Sequence, residues 1–396
     1  MILKNVSIFF GEELEYIPST KIKITSHKFE KIQKNIFQKN IDKVIDCEGL
    51  LLIPGLVNCH THIGDSVGKD VILNGTVDKK IHPVVGAKSK ILKKTKPMHL
   101  ITFMRNTCLS MIKKGITTFV DFREGGLEGI NHLKKALSNI PIRCIVLGRI
   151  EFYQNSNQIM KNSPIPKEKQ AELSILLKKC DGIGISGANE NSDFALKLYS
   201  KIKKIRAIHS AETKESVSFS KKITNKSEVK RALQLRPHFL VHMTHASKRE
   251  LIEVGRKTRG IVVCPRSNAT LAEGFPDVNL MQKAGCTVGV GTDNVMVNSP
   301  DLFREMDFLW NASQAINKVP ISPKSIMKMT TVNAAKILEK NIGKIQEGML
   351  ADGIFIEKHS IDLEPMHNPH ASVIHRVSES SIRAVMIGGK IAYGKI

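Results

Sequence analysis

The stretch PGLVNCHTH, residues 54–62, places His60 and His62 one residue apart at the end of an apolar run. In a β-strand alternate side chains share a face, so the two imidazoles point the same way while Thr61 points elsewhere. Two imidazoles converging on one point is how a strand offers two nitrogen ligands to a metal. Cys59 immediately precedes the pair, and the same alternation sets it opposite His60, away from a ligand role. A pair of surface histidines is the competing reading, so the remaining donors must come from elsewhere in the chain.

Other short runs end in similar residues. RAIHSAE carries His209 and, three residues on, Glu212; VHMTHAS carries His242 and His245; VGVGTDN carries Asp293. His60, His62, His209 and Asp293 make a coordination set for Zn²⁺ or Fe²⁺ with one position open for water. Glu212 and His242 then remain for proton transfer. Each residue alone reads as readily as a packed histidine or a turn-forming aspartate. Their convergence requires a scaffold that brings several strand ends together.

Such a scaffold is legible. From about residue 50 a short β-branched run alternates with an amphipathic helical stretch. The strands are LLIPGLVNCHTH, ITTFVDFREGG, PIRCIVLGRIEF, DGIGISGANEN, RAIHSAE, PHFLVHMTHAS, GIVVCPRSN and TVGVGTDN. Helices such as MHLITFMRNTCLSMIKKG lie between them, and Ser299 with Pro300 is expected to start the last one. Eight such units predict an α/β fold, a (β/α)8 TIM barrel, whose strand ends meet at the C-terminal face. An open doubly wound sheet is the alternative, but no phosphate-type glycine fingerprint follows the first strand.

Residues 1–52 and 345–396, ASVIHRV included, read as short strands and turns. They predict a small β-sandwich built from both termini around a barrel of residues 53–344. Residues 64–97 are the least regular stretch and are expected over the barrel mouth, as a lid or substrate loop. Arg123, Glu124, Arg149, Asn189 and His245 also fall at strand ends. They are candidate substrate contacts, with structural ion pairs or loop caps as the other reading. Ser267 and Asn268 in CPRSN read as organisers of the loop after the seventh strand.

Composition narrows the classes. The 396 residues are 41% hydrophobic and 24% charged, as in ordinary globular proteins. No apolar run approaches the ~20 residues of a membrane span. The N-terminus carries acids where a signal peptide has an apolar block, which predicts a cytoplasmic protein with no membrane partner. Seven scattered cysteines without a CxxC pair fit reduced thiols. The net charge of +23 comes from dispersed lysines with few aromatics among them. It reads as solvated faces that would raise association rates with a substrate if that is anionic, with a small-molecule substrate and no specific nucleic acid expected. Assembly into a homo-oligomer is left open.

The blocks PGLVNCHTH, GITTFVDF, HSAE, VHMTHAS, VCPRSNATL, VGVGTDN and TTVNAAKILEKNIGKIQEGMLADGIFIE resemble the amidohydrolase superfamily in order and spacing, over nearly the whole chain. The likeness is to its cytosine deaminase-like and chlorohydrolase-like branch. It implies a barrel flanked by a small β-sandwich, with one divalent metal, zinc foremost and iron as alternative, on His60, His62, His209 and Asp293. It implies that Glu212 shuttles protons and that His242, with Asp293, orients the metal-bound water and helps deprotonate it. Binuclear relatives bridge their metals with a lysine on the fourth strand; DGIGISGANEN has none, which implies a mononuclear site. The implied reaction is attack of metal-bound hydroxide on the amino-bearing carbon of a purine, pyrimidine or nucleoside derivative, with release of ammonia. The stretch IGDSVGKDVILNGTVDKKIHP departs from the apolar, Trp-containing segment of relatives acting on adenosine-like or guanine substrates. A cyclic amide, N-acyl or halide substrate therefore stays open. A basic nucleic-acid-binding scaffold is a third reading, against which the intact ligand set argues.

Overall fold

The computed structural model describes residues 1–34, 43–73 and 77–396, and of residues 77, 78 and 317 the backbone alone. Part of the run KIQKNIFQKN and residues 74–76 of the stretch after His62 lie outside the described residues.

Eight parallel strands follow one another around the barrel: Leu56–His62, Ile116–Arg123, Arg143–Gly148, Gly182–Ile185, Ile205–Ser210, Phe239–His242, Gly260–Val263 and the eighth. The eighth is broken into Val288–Val290, which pairs with the seventh strand, and Asp293–Asn294, which pairs with Thr61–His62 of the first. Between the two pieces Gly291 N donates to Val263 O at 2.9 Å and Thr292 N to His60 O at 3.1 Å. The sheet thereby closes on itself as the (β/α)8 barrel expected from the sequence. A side chain at Gly291 would start 2.6 Å from His60 Cβ, so glycine is what lets the last strand approach the first.

Val57, Cys59, Val120, Phe122, Ile145, Leu147, Ala207, Phe239, Val241, Val262 and Cys264 pack in one buried cluster with the helix Val332–Leu338. Cys59 is therefore not set apart from the histidine face as simple alternation would have it. The pairing of the first strand with the second slips between Asn58 and Thr61, and this bulge breaks the period of two. A larger apolar layer, including Phe119, Ile208, Leu240, Ile261, Val288 and Val290, joins the strands to the surrounding helices.

LLIPGLVNCHTH divides at Gly55: Leu50–Pro54 belongs to the terminal sheet and Leu56–His62 to the barrel. The terminal sheet runs in the order Lys390–Gly394, Ile382–Ile387, Gly353–Glu357, Leu50–Pro54, Ile2–Phe10, Glu15–Thr25, Lys28–Gln33, with Val44–Asp46 beside Ile2–Phe10. Leu3, Val6, Ile8, Phe29, Leu52, Phe355 and Met386 fill its interior, so both termini build the small β domain together.

Two local expectations are corrected. ASVIHRV is not a strand but part of the helix Pro369–Arg376, because Asn368 accepts the Ala371 N–H and Pro369 takes the first helical position. The helix after the eighth strand is Leu302–Asn317, capped by Asp301, which accepts from Arg304 N at 3.2 Å; Ser299 instead accepts from Lys114 Nζ at 3.1 Å. All seven cysteines are unpaired. No helix among the described residues is long and apolar enough to cross a membrane.

Close packing inside the barrel also sets the floor of its mouth. Gly184 faces Phe122: a methyl there would lie 2.4 Å from the ring, and that ring stands edge-on to His60 with centroids 4.4 Å apart. Gly184→Ala should therefore cost about 1–3 kcal/mol through overpacking, read as a lower thermal unfolding midpoint.

Candidate active site

The first, fifth and eighth strands bring His60, His62, His209 and Asp293 to one point in the barrel mouth, all buried, with one donor atom from each inside a 4.8 Å sphere of mutual distances. His60 Nε2 lies 3.2 Å from Asp293 Oδ1 and 3.2 Å from His209 Nε2; His62 Nε2 lies 3.4 Å from His209 Nε2. The outer nitrogens explain this convergence. His62 Nδ1 is 2.7 Å from Glu124 Oε1 and His209 Nδ1 is 2.9 Å from the Ile185 carbonyl. Each Nδ1 must carry the proton that its acceptor takes, which leaves a lone pair on each Nε2. Lone pairs that face each other at 3.4 Å repel unless a cation lies between them. Burial also holds the His60 imidazole down to about 3 and that of His209 well below the ordinary range, so both are neutral, as ligands must be. Three imidazoles and a carboxylate fit a single divalent cation with an open position.

Asp293 is fixed in its turn. Ser267 Oγ donates to Asp293 Oδ2 at 2.6 Å. Burial pushes the Asp293 carboxyl up, but the contact with His60 and the neighbouring imidazoles outweigh this and hold it well below the usual range. Asn268 Oδ1 accepts from His242 Nδ1 at 3.1 Å, and its Nδ2 donates to Thr244 Oγ1 at 2.7 Å. The seventh-strand loop organisers thus grip one member of the ligand cluster and its neighbour. They sit on a short helix, Pro265–Thr270, started by Pro265.

Beside the ligand cluster stand Glu212 and His242, with His242 Nε2 3.4 Å from Glu212 Oε1 and without a hydrogen bond. Burial raises the Glu212 carboxyl, and Asp293 adds to that while His242 opposes it. Ala211, His242, Met243 and Asp293 all have positive φ, 49°, 71°, 58° and 59°. Such backbone is costly for non-glycine residues and clusters where geometry must be held for function.

The other strand-end candidates divide. Arg149 and Asn189 border the cavity at this point, a chamber of about 120 Å³ that also touches His62, His209, Glu212, His242 and Asp293. Arg149 Nε and Asn189 Oδ1 are buried there with no hydrogen-bond partner. Glu124 is engaged by His62, by Arg123 at 2.7 Å and by Lys88 at 2.8 Å. Burial raises its carboxyl, and Lys88 and His62 outweigh that and hold it well below its usual value. Arg123 also lies 3.4 Å from Asp121, and His245 Nε2 is spent on the Glu273 carbonyl at 2.7 Å. A second cavity of about 460 Å³ shares Ile81, Pro83, Lys88 and Arg149 with the first and extends past Leu92, Leu100, Met104 and Tyr153. One of its walls comes from the segment after the first strand, with Gly64 of the turn Ile63–Gly68, Ile81 of the helix Val77–Ile81, and Lys88 and Leu92 of the helix Ala87–Lys94. Lys88 was not singled out in the sequence, where it is one lysine in the run KSKILKK.

The sequence pattern of the amidohydrolase family matches residues 51–392. This chain belongs to the amidohydrolase family. Among similar proteins, this amidohydrolase is 35% identical over 353 residues to a putative aminohydrolase of Methanothermobacter thermautotrophicus, covering 88% of each chain. It is 26% identical over 415 residues to a 5-methylthioadenosine/S-adenosylhomocysteine deaminase of Thermococcus sibiricus, covering 99% of this chain and 93% of the other. In fold it superposes on an adenosine deaminase from Xanthomonas campestris solved with bound zinc, with a TM-score of 0.85 at 17% identity over 98% of this chain and 92% of that one.

The grip on His242 is open to test. Asn268→Ala leaves His242 Nδ1 and Thr244 Oγ1 without their partner and should cost about 1–3 kcal/mol, read from the urea unfolding curve.

Proposed function

We propose that this amidohydrolase is a mononuclear, zinc-dependent aminohydrolase that releases ammonia from an amino-substituted N-heterocycle bearing a further substituent. The observation that carries the reading is the position of Glu212: a half-buried carboxyl beside, but outside, the four-residue ligand cluster. His60, His62, His209 and Asp293 would hold the cation, whose Lewis acidity lowers the pKa of water from 15.7 toward ~7. His242, with its Nε2 free of a hydrogen bond, and Asp293 orient the attacking water and accept its proton. Glu212 protonates the ring nitrogen next to the amino-bearing carbon, then takes the proton of the newly added hydroxyl and passes it to the amine; the C–N bond breaks, ammonia leaves, and the proton held by His242 and Asp293 returns to Glu212. Asn189 Oδ1 accepts an N–H from the ring, and Arg149 donates where the two chambers meet.

The chambers support the choice of substrate. The small polar one suits a planar ring, and the larger, more apolar one suits a substituent on it. The named activity of the Thermococcus sibiricus relative, on nucleosides with thioether side chains, agrees with that division. On this reading catalysis belongs to the barrel, expected as residues 53–344, of which Ile53 and Pro54 pair with the terminal sheet, and 1–52 with 345–396 form its β companion. The enzyme acts in the cytoplasm on a small molecule.

The test is ammonia release by the zinc-loaded protein across amino-purines, amino-pyrimidines, their nucleosides and thioether derivatives. Glu212→Gln should keep its metal and lose about 10²–10⁴-fold in turnover. His209→Ala should lose the metal itself, measured as zinc per chain after dialysis; unchanged zinc content there would refute the ligand assignment. Full zinc occupancy with no ammonia from any compound would move the reading to a cyclic amide, N-acyl or halide bond.

A further inference from the structure

We infer that Lys88, carried by the helix Ala87–Lys94 over the barrel mouth, is a positioning residue for the metal site, acting through Glu124 on His62. The inference rests on the metal reading of the four-residue cluster.

The helix has the sequence AKSKILKK, and of its four lysines only Lys88 is buried, at 5% exposure. Its ammonium donates to Asn294 Oδ1 at 2.7 Å and lies 2.8 Å from Glu124 Oε1 and 3.3 Å from Asp65 Oδ2. Each partner is tied to the ligand cluster by a different route. Glu124 Oε1 is the oxygen that takes the His62 Nδ1 proton. Asn294 follows Asp293 in the two-residue strand that closes the barrel. Asp65 lies three residues after His62 and accepts from Met296 N at 3.0 Å, in the loop that follows that strand.

Glu124 has three cations about it. Arg123 holds Oε2 at 2.7 Å, Lys88 holds Oε1 at 2.8 Å, and Arg149 stands 3.7 Å from Oε1. With Lys88 in place, Oε1 is directed to His62 and the imidazole keeps its lone pair on Nε2. Without the ammonium, Oε1 keeps only the His62 N–H and the more distant Arg149, while Arg123 holds the other oxygen. Lys88 is the cation of this group that comes from the covering helix rather than from a barrel strand, so the covering helix must be seated for the His62 ligand to be held.

A role as a mere tether for the helix would leave metal affinity untouched, which makes affinity the discriminating measurement. Zinc affinity of the full chain is titrated against a chromophoric chelator for wild type, Lys88→Met, Lys88→Arg, Glu124→Gln and the Lys88→Met/Glu124→Gln pair. Lys88→Met should bind zinc about 10–100-fold more weakly, the scale of lost outer-layer partners of a metal ligand. Glu124→Gln should show a similar loss, and the pair should be no weaker than the weaker single variant, because both act through one contact. Lys88→Arg, which restores the charge, should recover most of the affinity. If Lys88→Met does not fold, Lys88→Gln takes its place, with about a tenfold loss expected. Wild-type affinity in the neutral variant, or losses that multiply in the pair, would overturn the inference. Failure of the wild type to take zinc would overturn the metal reading as well, and so would be told apart from failure of Lys88 alone.

Discussion

Two imidazole nitrogens, those of His62 and His209, meet in the barrel mouth with their lone pairs toward one another beside His60 and Asp293, and that arrangement is repulsive by itself. It persists because each ring is held from behind. The Ile185 carbonyl fixes His209, Glu124 fixes His62, and the close passage of Gly291 with the Phe122 ring confines His60. A cation of the right size turns the repulsion into attraction without moving a ring. The scaffold's contribution is this advance ordering: the side-chain entropy of the donors is already lost when the ion arrives.

Behind the ligands lies a layer of full charges that ordinary cores avoid. Asp65, Asp121 and Glu124 face Lys88, Arg123 and Arg149, nearly all out of water. Desolvation of so many ions is costly, and well-packed apolar groups would often give equal or greater stability. What the charges provide is direction. A carboxylate with cations on several sides has a defined orientation, and the imidazole it holds inherits that orientation.

The barrel was legible because buried parallel strands read as continuous β-branched runs, and eight of them come at regular spacing. The cluster was legible because His60, His62, His209 and Asp293 end such runs. What was hidden had physical causes. The bulge after Asn58 leaves no mark in composition, so Cys59 was misplaced. ASVIHRV carries β-branched residues that favour a strand, and its cap overrides them. Lys88 looks like its neighbouring lysines, since burial of one charge in a basic run depends on partners distant in sequence. Glu124 stood out by position at a strand end, but only the folded chain shows that it serves a histidine.

The broken eighth strand has a consequence for how the protein comes apart. Asp293 lies in the short closing piece, and His60 and His62 lie in the strand it meets, 233 residues away along the chain at the His60–Asp293 contact. A bound ion therefore acts as a stitch across the seam of the barrel, and a stitch that spans so long a loop removes much of the open chain's freedom. Ion occupancy would therefore add to the stability of barrel closure, on top of the backbone hydrogen bonds that already join the first and last strands, so the ion belongs to the architecture as well as to the chemistry.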